Sequence, residues 1–133
     1  MSVFDRWTIP PSAAALGWAV VSEDPEAGSI EVSFDPGPQF LNPHGTIQGG
    51  YVAAMLDETM GPALLVASNG AIAPVSLDLQ VSFVAPVVPG RVIGRGRVVH
   101  RGRSIAFLEA ELFGEDGTLL ARGTSTARIV SVG

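Results

Sequence analysis

The 133-residue chain contains no cysteine and no lysine. Without thiols there is no disulfide, no cysteine nucleophile, no iron–sulfur cluster and no cysteine-ligated zinc. Without lysine there is no Schiff-base chemistry. Only two histidines occur, His44 and His100, too few to build a histidine metal site, so no metal and no cofactor are expected. Aromatic residues make up 7% and lie scattered, which excludes a base-stacking platform. Eight arginines against 13 acidic residues leave a net charge of -5, the wrong sign for a sequence-independent grip on nucleic acid. No apolar run approaches the roughly 18 residues that a membrane helix needs. The opening MSVFDRWTIPPS has no basic region followed by an apolar one, so the expectation is a cytoplasmic protein. The chain also lacks a GxSxG elbow, an HExxH pair, a Walker loop and a GxGxxG that opens a helix after a strand.

What is present is enough for a folded core: 47% hydrophobic residues, 16% charged and a mean hydropathy of +0.36. The length suits one domain over 1–133, with residues 1–17 as a Pro/Ala-rich lead-in carrying a single helical turn near Ala13–Leu16. Trp18–Ser22 and Ser29–Asp35, separated by EDPEAG, read as a hairpin. The run from Pro36 to Gly45 sustains neither a helix nor a central strand and reads as a loop.

From Gln48 the period changes. Val52, Met55, Leu56, Thr59, Ala63 and Leu64 recur at three- and four-residue steps, one face of a helix opened by Gly49-Gly50. Pro62 cannot donate to the Glu58 carbonyl, so a kink or break is expected near Gly61-Pro62. Four strands follow. Val75, Leu77, Leu79, Val81 and Phe83 alternate with polar residues, predicting one buried and one wet face. Arg91–His100, Ile105–Phe113 and Leu119–Val130 come next, joined by short turns that make neighbours antiparallel. Their inward positions are small: Gly94, Gly96, Ala106, Ala110, Ala121 and Gly123. Small residues leave room for a helix to lie close to the sheet, and strands of about ten residues exceed the usual five to six. The pattern is α+β, a hotdog arrangement in which a long central helix is wrapped by a curved antiparallel sheet.

Chemistry concentrates where the loop enters the helix and two turns further on, at Asp57-Glu58. A helix N-terminus offers unpaired N–H donors and partial positive charge, suited to polarising a carbonyl. A carboxylate nearby serves as nucleophile or general base. Asp57 shares its strip with Ala53, Ala54, Met60 and Gly61, where a charge needs a purpose; the alternative is a solvated outer helix face for Asp57 or Glu58. Eight residues of helix span about 12 Å, so Gly49 and Asp57 of one chain cannot address the same atom. The geometry points to Gly49 of one subunit facing Asp57 of another across a two-fold.

The stretch F40-L-N-P-x-G-x-x-Q-G-G-x-x-A-A-M-L-D-x-x-x-G61 resembles the PaaI-like (phenylacetate-pathway) group of hotdog acyl-CoA thioesterases. The similarity continues through Val75–Pro86 and the ending GxxxARGTSTARIV, covering roughly 17–130. The resemblance implies hydrolysis of an acyl- or aroyl-CoA to the acid and free CoA, with CoA present only as part of the substrate. It makes Asp57 the nucleophile or general base, gives the Gly49 N–H the thioester carbonyl, and has Asn42 help hold substrate or water. Gly50, Glu58 and Gly61 stand in the motif around these groups. Gln48 stands where the family usually has histidine; it can donate a hydrogen bond but cannot carry a proton, and His44 is a candidate to take over. For the CoA phosphates the local basic group is Arg101 with Arg103 at a turn, the alternative being solvated arginines at a hairpin tip. The strand end Val84-Ala85 is a candidate to run beside the pantetheine arm. Homodimers or homotetramers with sites at the interface are expected. A non-catalytic acyl-CoA-binding regulator stays open because of Gln48. A hotdog hydratase, which resembles a pattern with a histidine on the helix, is the third reading.

Overall fold

The computed structural model describes residues 2–132. A 3-10 turn, Val3–Arg6, and a short helix α1, Pro11–Ala15, precede the hairpin of β1, Ala19–Asp24, and β2, Ser29–Phe34. After the loop comes α2, Gly49–Ala67, then β3, Ile72–Ser76, β4, Gln80–Phe83, β5, Val92–Arg101, β6, Ile105–Gly114, and β7, Leu119–Ser131. The strands form one antiparallel sheet in the order β1-β2-β5-β6-β7-β3, with β4 also on β7.

The expected helix face is the buried one: Val52, Met55, Leu56, Thr59, Ala63 and Leu64 are all shielded from solvent. They meet Phe34, Leu112, Leu108 and Val32 of the sheet. Each large side chain buried this way contributes about 1.5–3 kcal/mol. The small inward residues do what their pattern implies. A Cβ on Gly94 would sit 2.5 Å from Thr59 Oγ1, and one on Gly96 would overlap the Thr59 carbonyl oxygen. The helix therefore lies against bare backbone. The opposite face of β5 carries Arg95 and Arg97, paired with Glu31 at 2.9 Å and with Glu109 respectively.

Two expectations give way. The helix does not break at Pro62 but runs on through it. The Glu58 carbonyl, which Pro62 cannot serve, instead accepts from Trp18 Nε1 at 2.9 Å. Trp18→Phe removes that donor and leaves a part-buried carbonyl unpaired, so urea unfolding is expected to show a loss of about 1–3 kcal/mol; an unchanged midpoint would contradict this account of the unbroken helix.

The second correction concerns Val75–Phe83, which is two strands rather than one. Asp78 interrupts it: its carboxylate accepts from the Thr126 N–H at 2.8 Å and its carbonyl from Ser125 Oγ at 2.9 Å. Of its alternating apolar side chains only Val81 packs against the core. Leu77 and Phe83 are each 59% exposed, and Val75, Leu79 and Val84 stand out beside them. They lie along the sheet edge formed by β3 and β4, whose outer side has no strand partner among the described residues. The lead-in, by contrast, is docked: Val3, Ala13 and Leu16 are buried in the core and the Phe4 ring meets Trp18 edge-on at 5.2 Å.

Candidate active site

Asp57 projects from the middle of α2 on its solvent side, and Ser76 Oγ at the end of β3 donates to its Oδ1 at 3.1 Å. The pair sits at one side of a cavity of about 340 Å³. Gly61 and Leu65 of α2 form its floor, Pro74 and Ser76 one wall, and Phe4, Trp7 and Ile9 of the N-terminal segment the other. Glu58 also lines it. Burial pushes the Glu58 carboxyl above its ordinary value of 4.5 and the neighbouring Asp57 charge adds to this, while a long contact from the Ser12 hydroxyl, 3.5 Å, pulls it back. A Cβ at Gly61 would lie 3.4 Å from Pro74 Cγ, an ordinary van der Waals contact.

The loop before α2 is ordered by Asn42. Its Oδ1 accepts from the backbone N–H groups of His44, 2.9 Å, and Thr46, 3.2 Å, and its Nδ2 donates to Thr46 Oγ1 at 2.8 Å. The resemblance implies that Asn42 helps hold substrate or water; here its amide group is engaged with its own loop. Gly45 turns the chain at φ 81, leaving His44 exposed. Gln48 occupies the helix N-cap, but its side chain makes no capping bond and is exposed. Gly49 and Gly50 are the first two helical residues, whose N–H groups have no partner within a helix. The Phe83 ring lies 3.3 Å from where a Cβ on Gly49 would sit.

The thioesterase superfamily model matches residues 44–121. The chain belongs to the thioesterase superfamily. A phenylacetic acid degradation-related protein of Ralstonia eutropha is 36% identical, with a TM-score of 0.85 over 95% of each chain. Acyl-coenzyme A thioesterase 13 of Mus musculus is 28% identical over 112 residues, 83% of this chain and 78% of that protein. The PaaI protein of the E. coli phenylacetic acid degradation operon, 22% identical with a TM-score of 0.78 over 93% of this chain and 86% of that one, shares the fold. This protein is thus a thioester hydrolase of PaaI-like hotdog type.

In the thioesterase, the remaining sequence candidates divide between the two ends of the sheet. Val84 and Ala85 follow Phe83 at the α2 N-terminal end, and both backbone N–H groups donate to the Leu120 carbonyl, at 2.9 and 3.0 Å. Arg101 and Arg103 stand exposed in and beside the β5–β6 hairpin. Phe83 is in register through Ala121 and Leu112 with Gly94. Arg101 lies seven residues beyond Gly94 along β5, roughly 23 Å at strand spacing. One chain alone does not bring these arginines to Gly49. No helix among the described residues is long and apolar enough to cross a membrane.

The sequence reading missed Ser76, which it placed on a wet strand face, and the N-terminal wall, which it took for a lead-in. No local signal marks Ser76: it is nineteen residues from Asp57 and reaches it only because β3 crosses beside α2. The cavity makes one prediction about pH. Among the described residues no cationic side chain lines it, and Glu58 faces Asp57 and Ser12. With its carboxyl pKa raised by folding, the folded thioesterase holds that proton more tightly than the unfolded chain, so stability falls as pH rises from the ordinary carboxyl value through the raised one. Thermal melts are expected to show Glu58→Gln gaining on wild type as pH rises through that window, with no relative gain below it.

Proposed function

We propose that the protein hydrolyses acyl- or aroyl-CoA thioesters to the acid and free CoA, with Asp57 as nucleophile or general base and the Gly49 N–H as donor to the thioester carbonyl. The observation that carries this reading is the Asp57 carboxylate, exposed to solvent yet oriented by Ser76 at 3.1 Å beside a cavity. Orientation by a hydroxyl leaves the second carboxylate oxygen free to work on water or on the thioester carbon. As water or the carboxylate adds to the thioester carbon, the developing oxyanion is met by the free N–H at the start of α2, and its collapse breaks the C–S bond and releases the CoA thiolate, which takes up a proton. Gln48 at the N-cap can lend a further donor. The test is thiol release from a panel of aliphatic and aromatic acyl-CoAs by wild type and Asp57→Asn side by side. Binding of CoA esters without release of thiol by wild type would replace hydrolysis with the regulatory reading.

Because Gly49 and Asp57 are about 12 Å apart along one helix, the working site combines two subunits. The unpaired β3–β4 edge supports this: its backbone is open for pairing, and Val75, Leu77, Phe83 and Val84 present an apolar strip along it. Phe83, packed on Gly49, ties that edge to the helix N-terminus. Two copies meeting there bury the strip and bring each Gly49 toward the other subunit's Asp57. Sedimentation is expected to give a dimer or tetramer of the 13.8 kDa chain. Leu77→Arg, on the strip but outside the catalytic set, is expected to shift it to monomer and to take the activity with it. A fully active monomer would overturn the shared site.

A further inference from the structure

We propose that Asn69-Gly70, at the C-terminal end of α2, is a deamidation site held shut by the docked N-terminal segment, and that its conversion to isoaspartate undocks that segment. Asn42 and Asn69 are the only asparagines of the chain. Pro43 follows Asn42, and its nitrogen carries no hydrogen to give up, so an imide ring cannot close there. Gly70 follows Asn69 and presents a backbone N–H with no side chain to shield it.

In the reaction the Gly70 nitrogen loses its proton and attacks Asn69 Cγ. A C–N bond forms, the bond from Cγ to the side-chain nitrogen breaks, and ammonia leaves with the proton. Water then opens the succinimide ring at one of its carbonyls. Opening at the side-chain carbonyl gives aspartate. Opening at the main-chain carbonyl gives isoaspartate, in which the backbone runs through the side-chain carboxyl and is longer by a methylene. Solvent is the only co-reactant.

In the folded chain both reacting groups are engaged. Asn69 is the one non-glycine residue with positive φ among the described residues, at 51°, and it closes α2 as a Schellman motif. Its N–H donates to the Val66 carbonyl at 3.2 Å, and the Gly70 N–H donates to the Leu65 carbonyl at 2.8 Å. Attack on Cγ requires the Gly70 nitrogen to leave Leu65 and swing toward the side chain. Arg6 opposes that swing by donating to the Asn69 carbonyl at 3.0 Å and to Asn69 Oδ1 at 3.2 Å. The segment also presses on Gly70 itself: a Cβ there would lie 2.8 Å from Val3 Cγ2 and 3.1 Å from Trp7 Cη2. Phe4, edge-on to Trp18 at 5.2 Å, anchors the same segment at a point that does not touch Asn69. The reactive geometry therefore waits on local opening of the N-terminal segment.

The two products act differently on the clasp. Aspartate keeps the backbone and tolerates positive φ, and its carboxylate gives Arg6 a charge-assisted partner. Isoaspartate lengthens the main chain inside the Schellman motif, so the Asn69 carbonyl and the helix end no longer present themselves to Arg6 together. Phe4, Trp7 and Ile9, which wall the cavity beside Asp57, then lose that attachment.

The experiment incubates the full-length protein at mildly alkaline pH and maps the amide-to-acid mass gain at Asn69 by peptide mass spectrometry. An isoaspartyl methyltransferase marks the isoaspartate. The urea-unfolded chain is expected to convert readily and the folded wild type slowly; no conversion even when unfolded overturns the site. Arg6→Ala and Phe4→Ala, held well below their melting midpoints, should each convert roughly tenfold faster than folded wild type, as the open segment becomes more populated. Rates equal to wild type in both variants overturn the guard. Release is read by trypsin, which cuts after Arg6. The isolated isoaspartate form is expected to be cut there several-fold faster than unconverted protein, and Asn69→Asp no faster. Cutting of the isoaspartate form at the wild-type rate overturns undocking, and fast cutting of Asn69→Asp assigns it to the added charge instead of the longer backbone.

Discussion

Asp57→Asn is expected to lower kcat/KM for acyl-CoA hydrolysis by about a hundred- to ten-thousand-fold. The substitution is nearly isosteric, and the amide oxygen can still accept from Ser76 Oγ, which now lies 3.1 Å from Asp57 Oδ1. Geometry is retained while the basic, negatively charged group is lost, so the effect isolates chemistry from packing. Stability should not fall. Asp57 is exposed, and a surface change of this kind stays within about 0.5 kcal/mol. Its charge also helps push the Glu58 carboxyl upward, so the variant relieves a repulsion. Thiol release and thermal melting on the same preparations decide the matter. A variant that melts like wild type but turns over normally would remove Asp57 from the mechanism and pass the role to Glu58, the next carboxylate on the helix. A Ser76→Ala variant should lose less than Asp57→Asn, because Ser76 only orients the carboxylate.

Gly96→Ala is expected to cost about 3 kcal/mol or more, at or beyond the upper end for overpacked cores. The added Cβ overlaps the Thr59 carbonyl oxygen and lies 3.0 Å from its carbon. These are backbone atoms of α2, so relief requires moving the helix rather than turning a side chain. The entropy that alanine removes from the unfolded chain returns only about 0.4–1 kcal/mol. Gly94→Ala should cost less, since it meets the Thr59 side chain at 2.5 Å, although that hydroxyl is committed to the Met55 carbonyl at 2.7 Å. The effect reaches function. Displacing α2 from β5 shifts Asp57 against Ser76, so the folded fraction of Gly96→Ala should also turn over more slowly. Urea denaturation showing a loss below about 1 kcal/mol would mean that helix and sheet do not approach as closely as described.

Much of this was readable from the chain because it is local and periodic. The helix face of Val52, Met55, Leu56 and Thr59 repeats every three or four residues because burial on one side demands it. Gly94, Gly96, Ala106, Ala110, Ala121 and Gly123 announce a helix pressed on a sheet because no larger side chain fits between. Spacing alone puts the glycine pair at 49–50 and the acid at 57 two turns apart on one helix, and the resemblance supplies the roles proposed for them. Even the distance that argues for two subunits follows from the rise of a helix.

Tertiary structure decided what depends on partners far along the chain. Pro62 removes a hydrogen bond locally, and only Trp18, forty residues before Glu58, restores one and keeps the helix whole. Val75–Phe83 alternates like a half-buried strand, but burial is a property of what stands opposite, and within this chain only Val81 is packed against the core while Val75, Leu77, Leu79 and Phe83 stay exposed. Periodicity reports that a face is apolar and is silent on whether its own chain or a second copy covers it. The lead-in has no period at all. It becomes a wall through single contacts, Arg6 to Asn69 and Phe4 to Trp18, whose energies come from proximity that the fold creates and that no spacing in the sequence encodes.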